Sequence, residues 1–213
     1  MKNLIVSLFL FLLSAATFAQ TISVRTGFDL ADMLYKHDYY PDDNRSIPGF
    51  LIGGTVEIPI LERLSIESGL QIVAKGYKSE GGGSFAQIKD KTHLYYLEIP
   101  ILAKTTLEFG NMQLYGSVGP YVAIGLSGKT ELEVTMGGST SKQAYEIKWG
   151  IESGNDYKRG DFSLMAEAGI RLKPLRIGVS YGIGLKNISV TTSNSQVQKN
   201  RVLGVLIGYE FAL

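Results

Sequence analysis

Phe162-Ser-Leu-Met-Ala-Glu-Ala-Gly-Ile-Arg-Leu172 is the stretch whose reading decides the fold. Apolar residues take every second position (Phe162, Leu164, Ala166, Ala168, Ile170, Leu172), and Ser163, Glu167, Gly169 and Arg171 stand between them. A period of two puts the two sets on opposite faces of a β-strand. One face is apolar; the other carries both signs of charge. A soluble antiparallel sheet buries such an apolar face. A transmembrane barrel presents it to lipid and turns the charged face inward.

The pattern recurs along the chain and predicts eight strands: Thr21–Leu30, Phe50–Ile60, Leu64–Lys75, His93–Lys104, Met112–Leu126, Phe162–Leu172, Leu175–Lys186 and Arg201–Leu213. Val24, Phe28, Ile52, Ile72, Ile99, Val118, Val179 and Ile207 fall on the apolar side. Ser23, Gln71, Tyr115, Tyr121 and Ser180 fall on the other. At about 3.3 Å per residue and a tilt near 40°, ten residues rise about 25 Å, the height of the apolar band of a membrane barrel. Strands of soluble proteins are typically about half that long.

The connections alternate in length. Ala31–Gly49, Gly76–Thr92, Ser127–Asp161 and Asn187–Asn200 are long; Leu61–Arg63, Thr105–Asn111 and Lys173–Pro174 are short. Short periplasmic turns and long outside loops are the habit of outer-membrane barrels. The expected fold is therefore all-β: an eight-stranded, antiparallel, up-and-down transmembrane barrel. Thr130–Met136 and Gln143–Ile151 alternate again around Gly137-Gly138-Ser139-Thr140-Ser141. They form either a projecting hairpin or two further barrel strands. The first piece is short of the roughly 9–11 residues a spanning strand needs, which favours projection.

Met1–Ala19 reads as an export signal: Lys2, an apolar run over Leu4–Leu13, then small residues before a cleavage point after Ala19. That run falls short of the roughly 20 residues of a spanning helix. Residues 20–213 read as one barrel domain, expected in the bacterial outer membrane. The chain has no cysteine, which excludes disulfides, thiolate metal sites and a lipid-modified N-terminal Cys. A formal net charge of +1 gives no argument for nucleic acid as a partner. Val56-Glu-Ile-Pro-Ile-Leu61 returns as Leu97-Glu-Ile-Pro-Ile-Leu102, each copy late in a strand that ends at a short turn. Proline, lacking an N–H for the ladder, belongs near such ends.

The inward side collects Arg25, Lys75, Lys104, Arg171, Lys173, Arg176 and Lys186 against Asp29, Glu57, Glu67, Glu98, Glu167 and Glu210. An eight-stranded barrel is just wide enough for side chains to fill. Ions in that space must be paired, since a lone buried charge costs several kcal/mol or more. The near-equal signs favour a salt-bridged plug over an ion path. His37 and His93 are the two histidines, His37 close to Asp38, Asp42 and Asp43. A rim acyl-transfer site would need His, Asp and Ser together, and nothing in the sequence fixes such a triad. Asp42-Asp43-Asn44 lacks the ordered oxygen spacing of a calcium loop, and Gly81–Gly83 follows no phosphate-loop pattern. No catalytic, cofactor or metal residue is expected. Tyr39, Tyr40, Tyr77, Phe85, Tyr145, Trp149 and Tyr157 decorate the outer connections, as contact anchors or as an interfacial belt.

Four stretches carry a family resemblance: Tyr96-Leu-Glu-Ile-Pro-Ile-Leu102, Gly119-Pro120-Tyr121, Gly182-Ile-Gly-Leu-Lys-Asn-Ile188, and the ending Gly208-Tyr209-Glu210-Phe211. In these the chain resembles the PorT-like outer-membrane β-barrel family from about Gln20 onward. The resemblance implies an eight-stranded outer-membrane barrel and brings no catalytic residues. Its founding member is linked to a protease secretion system. The C-terminal alternation also resembles the signal read by the barrel assembly machinery. The expected partners are outer-membrane lipid, that machinery during biogenesis and a protein bound through the outer loops. The expected role is a small non-enzymatic barrel. A component of a secretion or envelope-assembly system is the alternative, ahead of a rim-site lipid-modifying enzyme or a narrow pore.

Overall fold

Alternation carried through to the backbone. The computed structural model describes residues 21–36, 44–83, 85–190 and 197–212. Its strands are β1 (Thr21–Lys36), β2 (Asn44–Arg45), β3 (Ile47–Leu61), β4 (Leu64–Gly82), β5 (Ala86–Phe109), β6 (Met112–Met136), β7 (Ser139–Glu146), β8 (Gly160–Leu172), β9 (Leu175–Gly184) and β10 (Val197–Ala212). The expected signal segment, His37, Tyr39, Tyr40 and Leu213 lie outside the described residues.

Eight of these strands close a ring. β1 pairs with β3, then β3 with β4, β4 with β5, β5 with β6, β6 with β8, β8 with β9 and β9 with β10, which returns to β1. Every pairing is antiparallel and, apart from the closing β10–β1 seam, joins ring strands that are consecutive along the chain, so the barrel is up-and-down and has no open edge. Thr21 faces Ala212 across the closing seam, which puts both strand ends beside the short turns at 62–63, 110–111 and 173–174.

The apolar side faces outward on all eight ring strands. Phe28, Val118, Val179 and Ile207 are each more than half exposed. An apolar band this continuous is far larger than a soluble monomer exposes and is the lipid contact. The inner wall is uneven. β9 and β10 turn Gly178, Ser180, Gly182, Gly204 and Gly208 inward, opposite Tyr115, Tyr121, Lys104 and Glu98 from β5 and β6. A methyl on Gly178 would stand 2.2 Å from the Tyr115 hydroxyl, and one on Gly204 2.2 Å from an Asp29 carboxylate oxygen. Gly178 and Gly182 are the space into which Tyr115 and Tyr121 of β6 reach, and Gly204 and Gly208 make room for Asp29 and Arg176 of the adjoining strands.

Two long connections of the sequence reading are mostly strand. β4 and β5 stay paired up to Gly82 and Gln87, where a loop of residues 76–92 was expected. β6 runs beyond the ring and turns at Gly137-Gly138 into β7, which among the described residues pairs with β6 alone. Their φ angles of +54° and +83° match a two-residue type I′ hairpin, a conformation open to glycine. The stretch 127–161 therefore projects rather than adding two barrel strands, because β6 pairs directly with β8 below it. The second alternating piece lies at Ser139–Glu146, earlier than Gln143–Ile151.

Candidate functional site

Inward-facing charges meet in the barrel as two tiers. In the lower tier Glu67, from β4, is the hub. Its carboxylate accepts from Arg25 at 3.2 Å, from Lys104 at 2.9 Å and from Arg176 at 2.6 and 3.0 Å. Arg25 also donates to Glu167 at 2.9 Å and to Gln71. Glu57 accepts from Lys104 at 2.7 Å and from Arg171 at 2.6 Å, and Arg171 reaches Glu210 at 2.8 Å. Four cations (Arg25, Lys104, Arg171, Arg176) thus face four carboxylates (Glu57, Glu67, Glu167, Glu210). Arg176 and Lys104 also lie over the Tyr115 ring. The Gln71 amide donates to Glu98 at 2.8 Å and links this tier to the next.

The upper tier centres on Lys75. It pairs with Glu98 at 2.6 Å and Asp161 at 3.7 Å, donates to the Tyr121 hydroxyl at 3.1 Å, and sits against the Tyr96 and Tyr121 rings. Asn200 and Ser163 donate to Asp161. Asp29 is 1 % exposed and neither of its oxygens has a hydrogen-bond partner. Burying an ion is repaid only when such partners are in place, so the lower tier is the well-compensated half.

Two expected members of the network stand elsewhere. Lys186 is exposed, because β9 leaves the ladder at Gly184; Lys173 is exposed in the turn after β8. Asp161, read as a loop residue, belongs inside. It extends the inward parity of β8 by one step.

Above Lys75 the mouth is closed by apolar and aromatic side chains. Met33, Leu94, Tyr96, Tyr121, Tyr157 and Ile188 belong to one buried cluster, with Tyr77, Ile147 and Trp149 packed against it. Trp149 meets Tyr96 edge-on at 5.4 Å between ring centres. The segment carrying it is stapled by Gly150 N–H to Tyr157 O at 3.0 Å and by Lys148 N–H to the Asp156 carboxylate at 2.7 Å. Three aromatics read as outside contacts therefore point inward: Tyr157 is buried, and Tyr77 and Trp149 pack on it. Phe85 and Tyr145 remain exposed.

Gly125 makes room for Trp149. A methyl there would stand 2.6 Å from the indole ring. Gly125→Val should displace the ring and destabilise the mouth by about 1–3 kcal/mol, the usual scale of overpacking. Trp149 is the one tryptophan of the chain, so its emission should shift to the red and become open to acrylamide quenching. An unchanged spectrum would refute the packing.

Outside the ring, β4 to β7 form the projecting sheet. The face continuous with the lipid-facing wall carries Lys89, Lys91 and His93 on β5, Lys129, Glu131 and Glu133 on β6, and Lys142 and Glu146 on β7. Lys129 holds the exposed Glu131 carboxyl below its ordinary range through a hydrogen bond, as Lys142 does for Glu133. Both are ionised at neutral pH. Among the described residues, no group of three or more His, Asp or Glu is placed to hold a metal ion. A further cavity of about 480 Å³ opens beside the short turns, lined by Glu57, Glu62, Arg63, Glu108, Arg171 and Lys173 among others.

No curated protein matches the chain. Several solved structures are similar to it. The attachment invasion locus protein Ail of Yersinia pestis shares 15 % identity at a TM-score of 0.37, covering 91 % of this chain and 99 % of that one. Neisserial surface protein A (NspA) shares 12 % at a TM-score of 0.46, with 89 % and 97 % covered. The outer membrane protease OmpT from Escherichia coli shares 10 % at 0.39, with 92 % and 97 % covered. Residues 18–190 match the family described as outer membrane protein β-barrel domain. The chain belongs to that family and is a barrel of the bacterial outer membrane.

Proposed function

We propose that this member of the outer-membrane β-barrel family is a sealed, non-enzymatic surface protein that acts by contact through the sheet it raises above the membrane. The observation that carries the reading is the filled lumen. Two tiers of ion pairs and an aromatic cover leave a mid-barrel cavity of about 10 Å³ beside Asp29, Lys75 and Tyr121, room for about one water molecule. His93 has Lys91, Lys129 and Glu131 as its charged neighbours. A base for acyl transfer needs a nucleophilic hydroxyl within hydrogen-bond reach.

The purified protein in a planar bilayer should pass no large, steady current. A stable current selective for one ion sign would replace this reading with a pore. Membranes carrying the wild type should also show no lipid A or phospholipid modification beyond that of a His37→Ala/His93→Ala double variant. Modification lost in the double variant would make the protein an enzyme.

Within the family, the motifs at Tyr96–Leu102 and Gly182–Ile188 support PorT-like kinship. A second reading, a component of a secretion or envelope assembly, is favoured by the charged periplasmic cavity, which offers a partner both signs of charge. Cross-linking from Glu62 or Arg63 to one defined periplasmic protein would support it.

A further inference from the structure

The projecting sheet has two edges, and they differ. The β4 edge is covered by β2, which pairs Asn44 with Ser79 and Arg45 with Lys78. Among the described residues, no strand pairs with the β7 edge. All eight residues of β7 are exposed. The Ile147 N–H donates to Gly128 O at 2.9 Å, in register with the β6–β7 ladder. Hydrogen bonding alternates along an antiparallel pair, so the odd residues of β7 bond to β6. The backbone groups of Thr140, Lys142, Ala144 and Glu146 point away from it.

Natural sheets blunt such edges with proline, bulges or free charges. β7, Ser139-Thr-Ser-Lys-Gln-Ala-Tyr-Glu146, has no proline and no bulge, and its one lysine is tied to Glu133 at 2.7 Å. A second copy does not fit this edge. Copies in one membrane run β7 in the same direction, so a two-fold pair along the membrane normal would be parallel, with each even residue level with its own copy and the two side chains on opposite faces. A parallel ladder needs the bonding residues of one strand to lie between those of the other, which that symmetry forbids.

We propose that the β7 edge takes up an extended strand of another protein, antiparallel, with an acidic side chain opposite Lys142 and a basic one opposite Glu146. The added strand completes the backbone hydrogen bonds of the even residues and continues the charge alternation of the outer face; strand addition of this kind takes its affinity from the main chain and its specificity from alternate side chains. Residues between the two charges meet Gln143 and Tyr145 on the opposite face, where β-branched side chains fit. The proposal rests on the reading of the barrel as a contact protein.

The probe is a fluorescent peptide, Thr-Lys-Val-Thr-Val-Glu-Val-Thr, titrated by anisotropy against the full barrel in lipid nanodiscs. It should bind saturably, and the peptide with Lys and Glu exchanged should bind about tenfold more weakly, a difference of about 1.4 kcal/mol. Ala144→Pro removes an outward N–H without touching the β6 ladder, a place where an edge strand accepts proline. It should weaken binding by at least about tenfold while Trp149 emission and heat-modified gel mobility stay as in the wild type. No saturable binding to the wild type, equal binding of the two peptides, or binding unaffected by Ala144→Pro would each overturn the strand edge. Those failures leave the sealed contact barrel standing if the bilayer stays silent; a steady current would sink that reading itself.

Discussion

Glu67→Ala should lower the unfolding free energy of the reconstituted barrel by about 3–5 kcal/mol, the scale for removing one partner of a buried ion pair. The reason is connectivity. Glu67 is 1 % exposed and receives hydrogen bonds from Arg25, Lys104 and Arg176. Its loss leaves excess positive charge in a closed interior, with Glu57 and Glu167 as the remaining partners of Lys104 and Arg25. Urea titration in lipid vesicles, followed by Trp149 emission and gel mobility, measures the change. Asp29→Asn is the contrast. It is as deeply buried but holds no hydrogen bond, so exchanging its carboxylate for an amide removes an uncompensated charge and should not lower stability. Equal losses in the two variants would mean that the ion-pair geometry does not organise the interior.

The barrel was legible because a spanning strand obeys two strict solvents at once. Lipid accepts only apolar groups on one side, and the narrow lumen takes the rest, so parity alone assigns Val24 outward and Arg25 inward. Above the membrane that constraint lapses. Lys78-Ser-Glu-Gly-Gly82 and Lys89-Asp-Lys91 are strands with water on both faces, and their sequence reads as loop although they stay in register. The pairing of charges was hidden for another reason. Glu57 and Arg171 are 114 residues apart and meet only because four ladders set the distance between them. The mouth was the least legible part. Tyr157 lies in a stretch with no period and Trp149 near the end of an alternating one, and the inward turn of Trp149 depends on the gap at Gly125, which one sequence does not connect to it. Asp161 was within reach: two residues before Ser163, it continues the inward side of β8. Lys186 had the right parity and failed because the ladder ends at Gly184.

Val179→Arg should destabilise the inserted barrel by about 2–4 kcal/mol, the cost of an arginine on the lipid face near the bilayer midplane. Val179 lies midway along β9, pairs with Ala168 and Val205, and is more than half exposed on the apolar band. Lipid offers the guanidinium no partner there, and the lumen is closed to it by the wall itself. Ser180, the next residue, points the other way and pairs with Glu167 and Gly204 on the inner side. Ser180→Ala removes a hydroxyl from the lumen and places no charge in lipid, so its effect should stay within about 1 kcal/mol. Folding into vesicles of defined thickness, titrated with urea, separates the two. A loss for Val179→Arg that vanishes in detergent micelles but persists in bilayers would tie it to lipid contact. Equal losses at neighbouring positions would mean that the strand does not divide lipid from lumen, and the inside-out reading of Phe162–Leu172 would fail with it.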